Sequence, residues 1–303
     1  MPTMHQGELA IDEAGVHRLL TAQFPAWADL PLVRVPSAGT DNAIFRLGDD
    51  LAVRLPRIDW AVGQVEKDRV WLPRLAPHLQ VAVPEPLGLG APGEGYPWPW
   101  LVCRWLEGED ATTAPVGDRQ QLATDLGRFV AALHAVDTAG GPTPSDAGAR
   151  GVPLAVRDDD TREAIAALGD RVDAHAVAAA WDAALRAPVW DAPGVWIHGD
   201  LIAGNLLITD GRLSAVIDFG PLTVGDPAAD VAAAWAFLTA ENREAFRAAV
   251  LVDDATWARG RGWALSTALV ALPYYWTTNP VLADISRRSI AEVLADQTAS
   301  PGG

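Results

Sequence analysis

The first third of the chain alternates apolar and polar positions with a short period. Ala43-Ile44-Phe45-Arg46-Leu47 and Leu51-Ala52-Val53-Arg54-Leu55 flank Gly48-Asp49-Asp50, a turn composition, and predict a β-hairpin ended by Pro56. From Trp60 to Leu75 the apolar positions Val62, Val65, Val70, Leu72 and Leu75 surround the polar run Glu66-Lys67-Asp68-Arg69, which predicts a helix with one polar face. Pro84 and Pro86 restrict Val81–Leu89 to an edge strand or a loop, and Trp100–Trp105 reads as a further strand. Past residue 107 the period lengthens. Leu122, Leu126, Phe129, Val130 and Leu133 recur at helical spacing, and helical runs follow at about 161–187, 228–250, 256–272 and 284–296. The Gly-, Pro- and Ser-rich stretch 138–151 is a loop. Within the helical part, Leu206–Thr209 and Leu213–Ile217 flank Asp210-Gly211, a tight-turn pair, and predict a second hairpin. The expected fold class is α+β: a small strand-rich lobe with one helix over 1–103, then a larger helical lobe over 104–303.

Composition narrows the function. With 23 basic and 39 acidic residues the net charge is −16, which repels phosphate backbones, excludes nucleic acid as an expected partner and favours cationic ones. Cys103 is the one cysteine, so a disulfide framework and a cysteine-rich zinc site are excluded, and a reducing, cytoplasmic location is expected. Met1–Gln6 lacks the charged and apolar regions of a secretion signal, and Trp263–Trp276 is interrupted by Ser266, Thr267 and Pro273, so no membrane span is expected. Lys67 is the single lysine.

The densest polar cluster flanks the second hairpin, with Ile197-His198-Gly199-Asp200 and Gly204-Asn205 before it and Ile217-Asp218-Phe219-Gly220 after it. Because a hairpin returns the chain to its start, Asp200, Asn205 and Asp218 are expected to converge. Two carboxylates and an amide supply hard oxygen ligands suited to Mg²⁺, with one carboxylate left to orient a hydroxyl. Phosphoryl transfer needs that set.

This spacing resembles the protein-kinase pattern of Asp, four residues and Asn before a strand pair closed by Asp-Phe-Gly. With His198-Gly199-Asp200 and the downstream Gly225-Asp226-Pro227-Ala228-Ala229-Asp230, the chain looks more like the aminoglycoside phosphotransferase family, over about residues 30–240. The resemblance implies a protein-kinase-like two-lobed fold and transfer of a γ-phosphate from ATP or GTP to a small hydroxylated acceptor. Asp200 would be the catalytic base or hydroxyl-orienting group, and Asn205 and Asp218 would hold Mg²⁺. His198 would be structural, Asp230 would anchor the catalytic loop, and Asp226 would be either a cap or a group near the acceptor. In the first lobe, Ser37 and Thr40 lie in the turn expected over the nucleotide phosphates. Arg54 stands where the family carries a lysine, Glu66 is its expected helical partner, and Lys67 is expected on another helical face. Val102 and Cys103 would lie in a hinge whose backbone meets the purine edge, beside Trp98, Trp100 and Trp105, which either stack on the base or pack between lobes.

The acidic balance points to a polycationic acceptor such as an aminoglycoside, with Asp226, Glu241, Glu244, Asp253 and Asp254 as candidate contacts; macrolides, amino alcohols and sugars are alternatives. A nucleotide-binding module without transfer and a metal-dependent phosphohydrolase are competing classes. Gly88-Leu89-Gly90-Ala91-Pro92-Gly93 matches a dinucleotide fingerprint by letter but precedes Glu94–Pro99 rather than a helix, so it is read as a loop before the hinge.

Overall fold

A computed structural model describes residues 8–36, 41–144 and 150–299. The chain divides into two compact units: the first comprises residues up to Pro77, Ala82–Gly108 and Ala215–Gly220, and the second His78–Val81, Glu109–Ser214 and the chain from Pro221 onward. The first unit thus extends past Cys103 to Gly108, because the strand that carries Cys103 runs on to Arg104. It also takes in the short segment around Asp218, which sequence distance alone assigns to the second lobe.

In the first unit, helix α1 (Glu13–Gln23) precedes strands β1 (Leu32–Arg34), β2 (Asn42–Leu47) and β3 (Leu51–Pro56). Helix α2 (Val62–Leu75) and strands β4 (Pro86–Gly90) and β5 (Trp100–Arg104) follow. The strands form an antiparallel sheet in the order β1-β2-β3-β5-β4, with β4 at the edge as its prolines require. Register pairs Ile44 with Arg54 and Phe45 with Val53. Alternation sends Ala43, Phe45, Leu47, Val53 and Leu55 into one core with Val16, Leu19 and Leu20 of α1, and leaves Arg54 on the other face. Helix α1 is absent from the sequence reading; its signal was Asp12, whose carboxylate caps Gly15 N–H at 2.7 Å, ahead of the buried Val16, Leu19 and Leu20. The glycines of the false fingerprint admit aromatic rings: a Cβ on Gly90 would lie 2.0 Å from Trp100, and one on Gly88 2.8 Å from Phe24.

The second unit is mainly helical. Its short strands are β6 (Glu109–Asp110), β7 (Val195–Ile197), β8 (Leu206–Thr209) and β10 (Thr223–Gly225), and β9 (Arg212–Val216) leads the chain back into the first unit. Asp210 and Gly211 both take positive φ, 51° and 75°, which closes the β8–β9 hairpin as its sequence predicts. The helices are α3 (Arg119–His134), α4 (Asp158–Leu168), α5 (Ala174–Leu185), α6 (Ala228–Val231), α7 (Ala233–Ala236), α8 (Ala240–Val250), α9 (Asp254–Tyr275) and α10 (Pro280–Ala299). Helix α9 packs against α4, α5, α6, α7 and α10. The run 161–187 is split by Gly169 at φ 51° and restarts at α5, whose N-cap Asp173 accepts from Ala176 N–H. The run 228–250 is split before α8, where Thr239 and Asn242 form a capping box. No helix among the described residues is long and apolar enough to cross a membrane.

Candidate functional site

In the first unit, Arg54 is placed by β3 on the sheet face opposite the core. One terminal nitrogen of its guanidinium contacts the carboxylate of Asp68, and the other donates to Gln64 Oε1 at 2.8 Å and lies 3.9 Å from Asp218 Oδ1. Helical spacing explains the partner. Gln64 and Asp68 are four residues apart and share a face of α2, whereas Glu66, midway between them, faces away. The expected Arg54–Glu66 pair is therefore corrected to Arg54–Asp68: Glu66 is exposed and held by Arg69, with Nε–H donating to its carboxylate at 2.8 Å. Burial works against the Arg54 charge, but Asp68 and Asp218 outweigh it and hold the guanidinium above its ordinary pKa.

Lys67 also departs from expectation. It lies three residues beyond Gln64 and its ammonium donates to the Gly220 carbonyl, so it borders the same group; burial lowers its pKa. Gly220 permits this approach, since a Cβ there would sit 2.9 Å from Gln64. Asp218 takes the left-handed backbone conformation at φ 63°, one that Asp tolerates better than most residues, and its side chain is 45% exposed.

Val102 and Cys103 occupy the central strand β5, opposite Val53 and Ala52 on one side and Gly88 and Pro86 on the other. Their backbone groups serve the ladder, and the next amides are also committed, Arg104 N–H to Glu85 O at 2.9 Å and Trp105 N–H to Asp50 O at 2.7 Å. The expected hinge residues Val102 and Cys103 thus lie within the sheet, and the chain leaves it after Arg104. Burial pushes the Cys103 thiol up to about 12, which makes it an inert core group. Trp100 is fully buried in the core of this unit. Ser37 and Thr40 lie outside the described residues.

In the second unit, Asp230 is fully buried and its two oxygens accept from backbone N–H groups, Oδ2 from His198 at 3.0 Å and Oδ1 from Gly199 at 2.7 Å. His134 Nε2 lies 3.3 Å from the same carboxylate and carries the proton there, because a carboxylate only accepts. His198 is buried, and its Nδ1 accepts from Asp200 N–H at 3.2 Å, so that lone pair serves the loop rather than a substrate. The turn passes through Gly199 at φ 84° and presents Asp200, whose side chain is 29% exposed. Asn205 Nδ2 donates to the Asp200 carbonyl at 2.8 Å and to its carboxylate at 3.1 Å. This contact turns the Asn205 amide oxygen the other way and leaves a hard donor of the kind a divalent ion takes. Arg150, which the sequence reading passed over, donates from Nε to Gly199 O at 2.8 Å and brings Nη2 within 3.9 Å of Asp200. Its signal was faint: a lone arginine ending a Gly/Pro-rich loop.

The candidate acceptor carboxylates are employed elsewhere or lie at the surface. Both oxygens of Asp226 meet Arg259 in a buried pair, at 2.8 Å and 3.1 Å, and Oδ1 also caps Ala228 N–H. Asp226 therefore serves as a cap and a buried ion-pair partner. Asp253 caps α9 through Thr256 N–H, Asp254 pairs with Arg247 at 2.6 Å, and Glu241 and Glu244 are exposed on α8. Among the described residues no three His, Cys, Asp or Glu side chains gather as a metal site. A divalent ion here would complete its shell with ligand oxygens, as Mg²⁺ commonly does.

The same fold occurs in solved phosphotransferases. A GDP and kanamycin complex of APH(2")-IIia matches 94% of this chain and 100% of its own at 17% identity and a TM-score of 0.72. The macrolide 2'-phosphotransferase MphH from Brachybacterium faecium matches 91% of this chain and 97% of its own at 23% identity and a TM-score of 0.59. The ADP-bound aminoglycoside phosphotransferase APH(2'')-Ib matches 94% and 97% at 17% identity and a TM-score of 0.59. No curated protein matches the chain. The model of the phosphotransferase enzyme family, APH, matches residues 33–263, most of the sequence and both halves of the polar constellation, and the chain belongs to that family.

Proposed function

We propose that the chain is a small-molecule kinase that moves the γ-phosphoryl group of ATP or GTP to a hydroxyl of its acceptor. The observation that carries this reading is the presentation of Asp200: the loop behind it is clamped by Asp230, its carboxylate is steadied by Asn205, and the side chain remains partly open. A carboxylate so held accepts the hydroxyl proton as the acceptor oxygen attacks the γ-phosphorus in line and the nucleoside diphosphate leaves. Arg54, fixed by Asp68 and Gln64, would meet the phosphates, where a guanidinium forks onto oxygen pairs that a lysine meets as a point charge. Asn205 and Asp218 would hold Mg²⁺, which neutralises phosphate charge. The GDP and ADP complexes of similar folds support a nucleotide donor, and the kanamycin complex and the macrolide enzyme support a small hydroxylated acceptor.

Asp200→Ala tests the reading. The variant is expected to bind MgADP with wild-type affinity by calorimetry while turnover falls by about a hundred- to ten-thousandfold. Wild-type turnover in this variant would remove Asp200 from the mechanism. Nucleotide binding by the native chain without transfer to any acceptor would favour a binding module instead.

A further inference from the structure

Arg157 ends the turn before α4 and is only 3% exposed, yet among the described residues no carboxylate pairs with it. Burying an unpaired guanidinium is costly. The side chain is nevertheless rigidly held. Thr161 Oγ1 donates to the Arg157 carbonyl at 2.7 Å, Thr161 and Ser266 hydroxyls meet at 2.7 Å, and Arg157 Nε donates to Ser266 Oγ at 2.9 Å. These bonds are mutually consistent if Ser266 donates to Thr161, and the guanidinium also lies 4.8 Å from the Trp263 ring centre. The network uses Nε and leaves the fork of Nη1 and Nη2 with no protein acceptor among the described residues. Neither terminal nitrogen is among the side-chain atoms sealed from solvent without a partner, so the fork opens on accessible space. After burial, the strongest influence on the Arg157 charge is Arg150, with weaker attraction from the exposed Asp160; together these bring its pKa down to about 10. Arg150 in turn reaches Asp200.

An arginine fixed by its own network, paired with no carboxylate among the described residues and influenced by a second arginine that lies 3.9 Å from the proposed catalytic group, is built to receive an anion. We propose that Arg157, with Arg150, binds an oxyanion of the phosphoryl acceptor, so that the natural substrate is a small hydroxylated carboxylate or phosphate ester rather than a polycation. This inference rests on Asp200 as the group that receives the acceptor hydroxyl. It reverses what net charge suggests: the chain carries −16 as a whole, yet the Arg150 guanidinium lies 3.9 Å from Asp200.

Calorimetry on the MgADP-loaded chain tests it with four probes: gluconate, glycerol 3-phosphate, sorbitol and kanamycin. At least one anionic probe is expected to bind roughly ten- to hundredfold more tightly than sorbitol, the range for charge-assisted bonds, and the two anionic arms distinguish carboxylate from phosphate. Arg157→Met should abolish that ratio, and Arg157→Lys, which keeps the charge but loses the fork, should restore part of it. If Arg157→Met does not fold, the native charge selectivity and the lysine variant decide. Equal binding of anionic and neutral probes, preference for kanamycin, or failure of both anions to bind overturns the inference. A wild type that binds kanamycin and phosphorylates it overturns this inference alone, whereas a wild type that binds no nucleotide removes the kinase reading and this one together.

Discussion

The clamp of Asp230 on the His198–Asp200 loop permits a quantitative forecast. Asp230→Ala removes the acceptor for two buried N–H groups, those of His198 and Gly199, and the carboxylate beside His134 Nε2. Hydrogen bonds to a charged acceptor contribute about 1.5–3 kcal/mol each, so the two backbone bonds together are expected to cost about 3–6 kcal/mol when lost. That is a large share of the ~5–15 kcal/mol that holds a domain folded. Asp230→Asn keeps the shape and one acceptor oxygen but turns an NH₂ donor toward the second N–H, so it should recover about half of the loss. Guanidinium unfolding followed by fluorescence of the 13 tryptophans measures the stability, and amide hydrogen exchange at His198 and Gly199 locates the change. Turnover should fall in both variants because Asp200 directly follows the freed segment. An Asp230→Ala protein within about 1 kcal/mol of wild type, with slow exchange at both amides, would refute the clamp.

Arg54→Met strands the Asp68 carboxylate, whose Oδ1 already has no partner among the described residues, in a buried position; a loss of about 3–5 kcal/mol in chemical denaturation is expected, and less than 1 would show the pair to be dispensable. Gly90→Ala drives a methyl to within 2.0 Å of Trp100, which is fully buried, so the first unit should lose about 1–3 kcal/mol and melt several degrees lower, and an unchanged Tm would contradict the packing. Hydrogen bonds from the Thr256 side chain and backbone hold Asp253 below the ordinary carboxylate range. Its contribution is present above pH ~4 and is lost as pH falls through the lowered value, so Asp253→Asn should flatten the acid limb of the stability–pH curve while leaving neutral stability near wild type. An identical acid limb in the variant would count against this cap.

Local chemistry carries far in this protein. Both hairpins, the edge position of β4 and helix α2 follow from period, proline and turn residues, because each is decided within a few positions of itself. The approach of Asn205 to Asp200 was legible for a different reason, since polar residues at fixed spacing among apolar strands are seldom mere solvated surface, and the Asp230 anchor was legible only through the family resemblance. Where the reading failed, the deciding contact was remote in sequence or hinged on helical phase. Glu66 and Asp68 differ by two positions yet face opposite ways, so the partner of Arg54 is settled by where β3 lies against α2. The commitment of Val102 and Cys103 to two neighbouring strands depends on β5 being interior, which pairing alone establishes. Asp226 meets Arg259 across 33 positions, and Arg157 finds Ser266 across 109. The sequence by itself determined the elements and the residue types able to transfer a phosphoryl group, since propensity and spacing are local properties. Which charges are paired, and which arginine is buried without a carboxylate partner among the described residues, only tertiary packing decided, because electrostatic compensation depends on distance in space and burial.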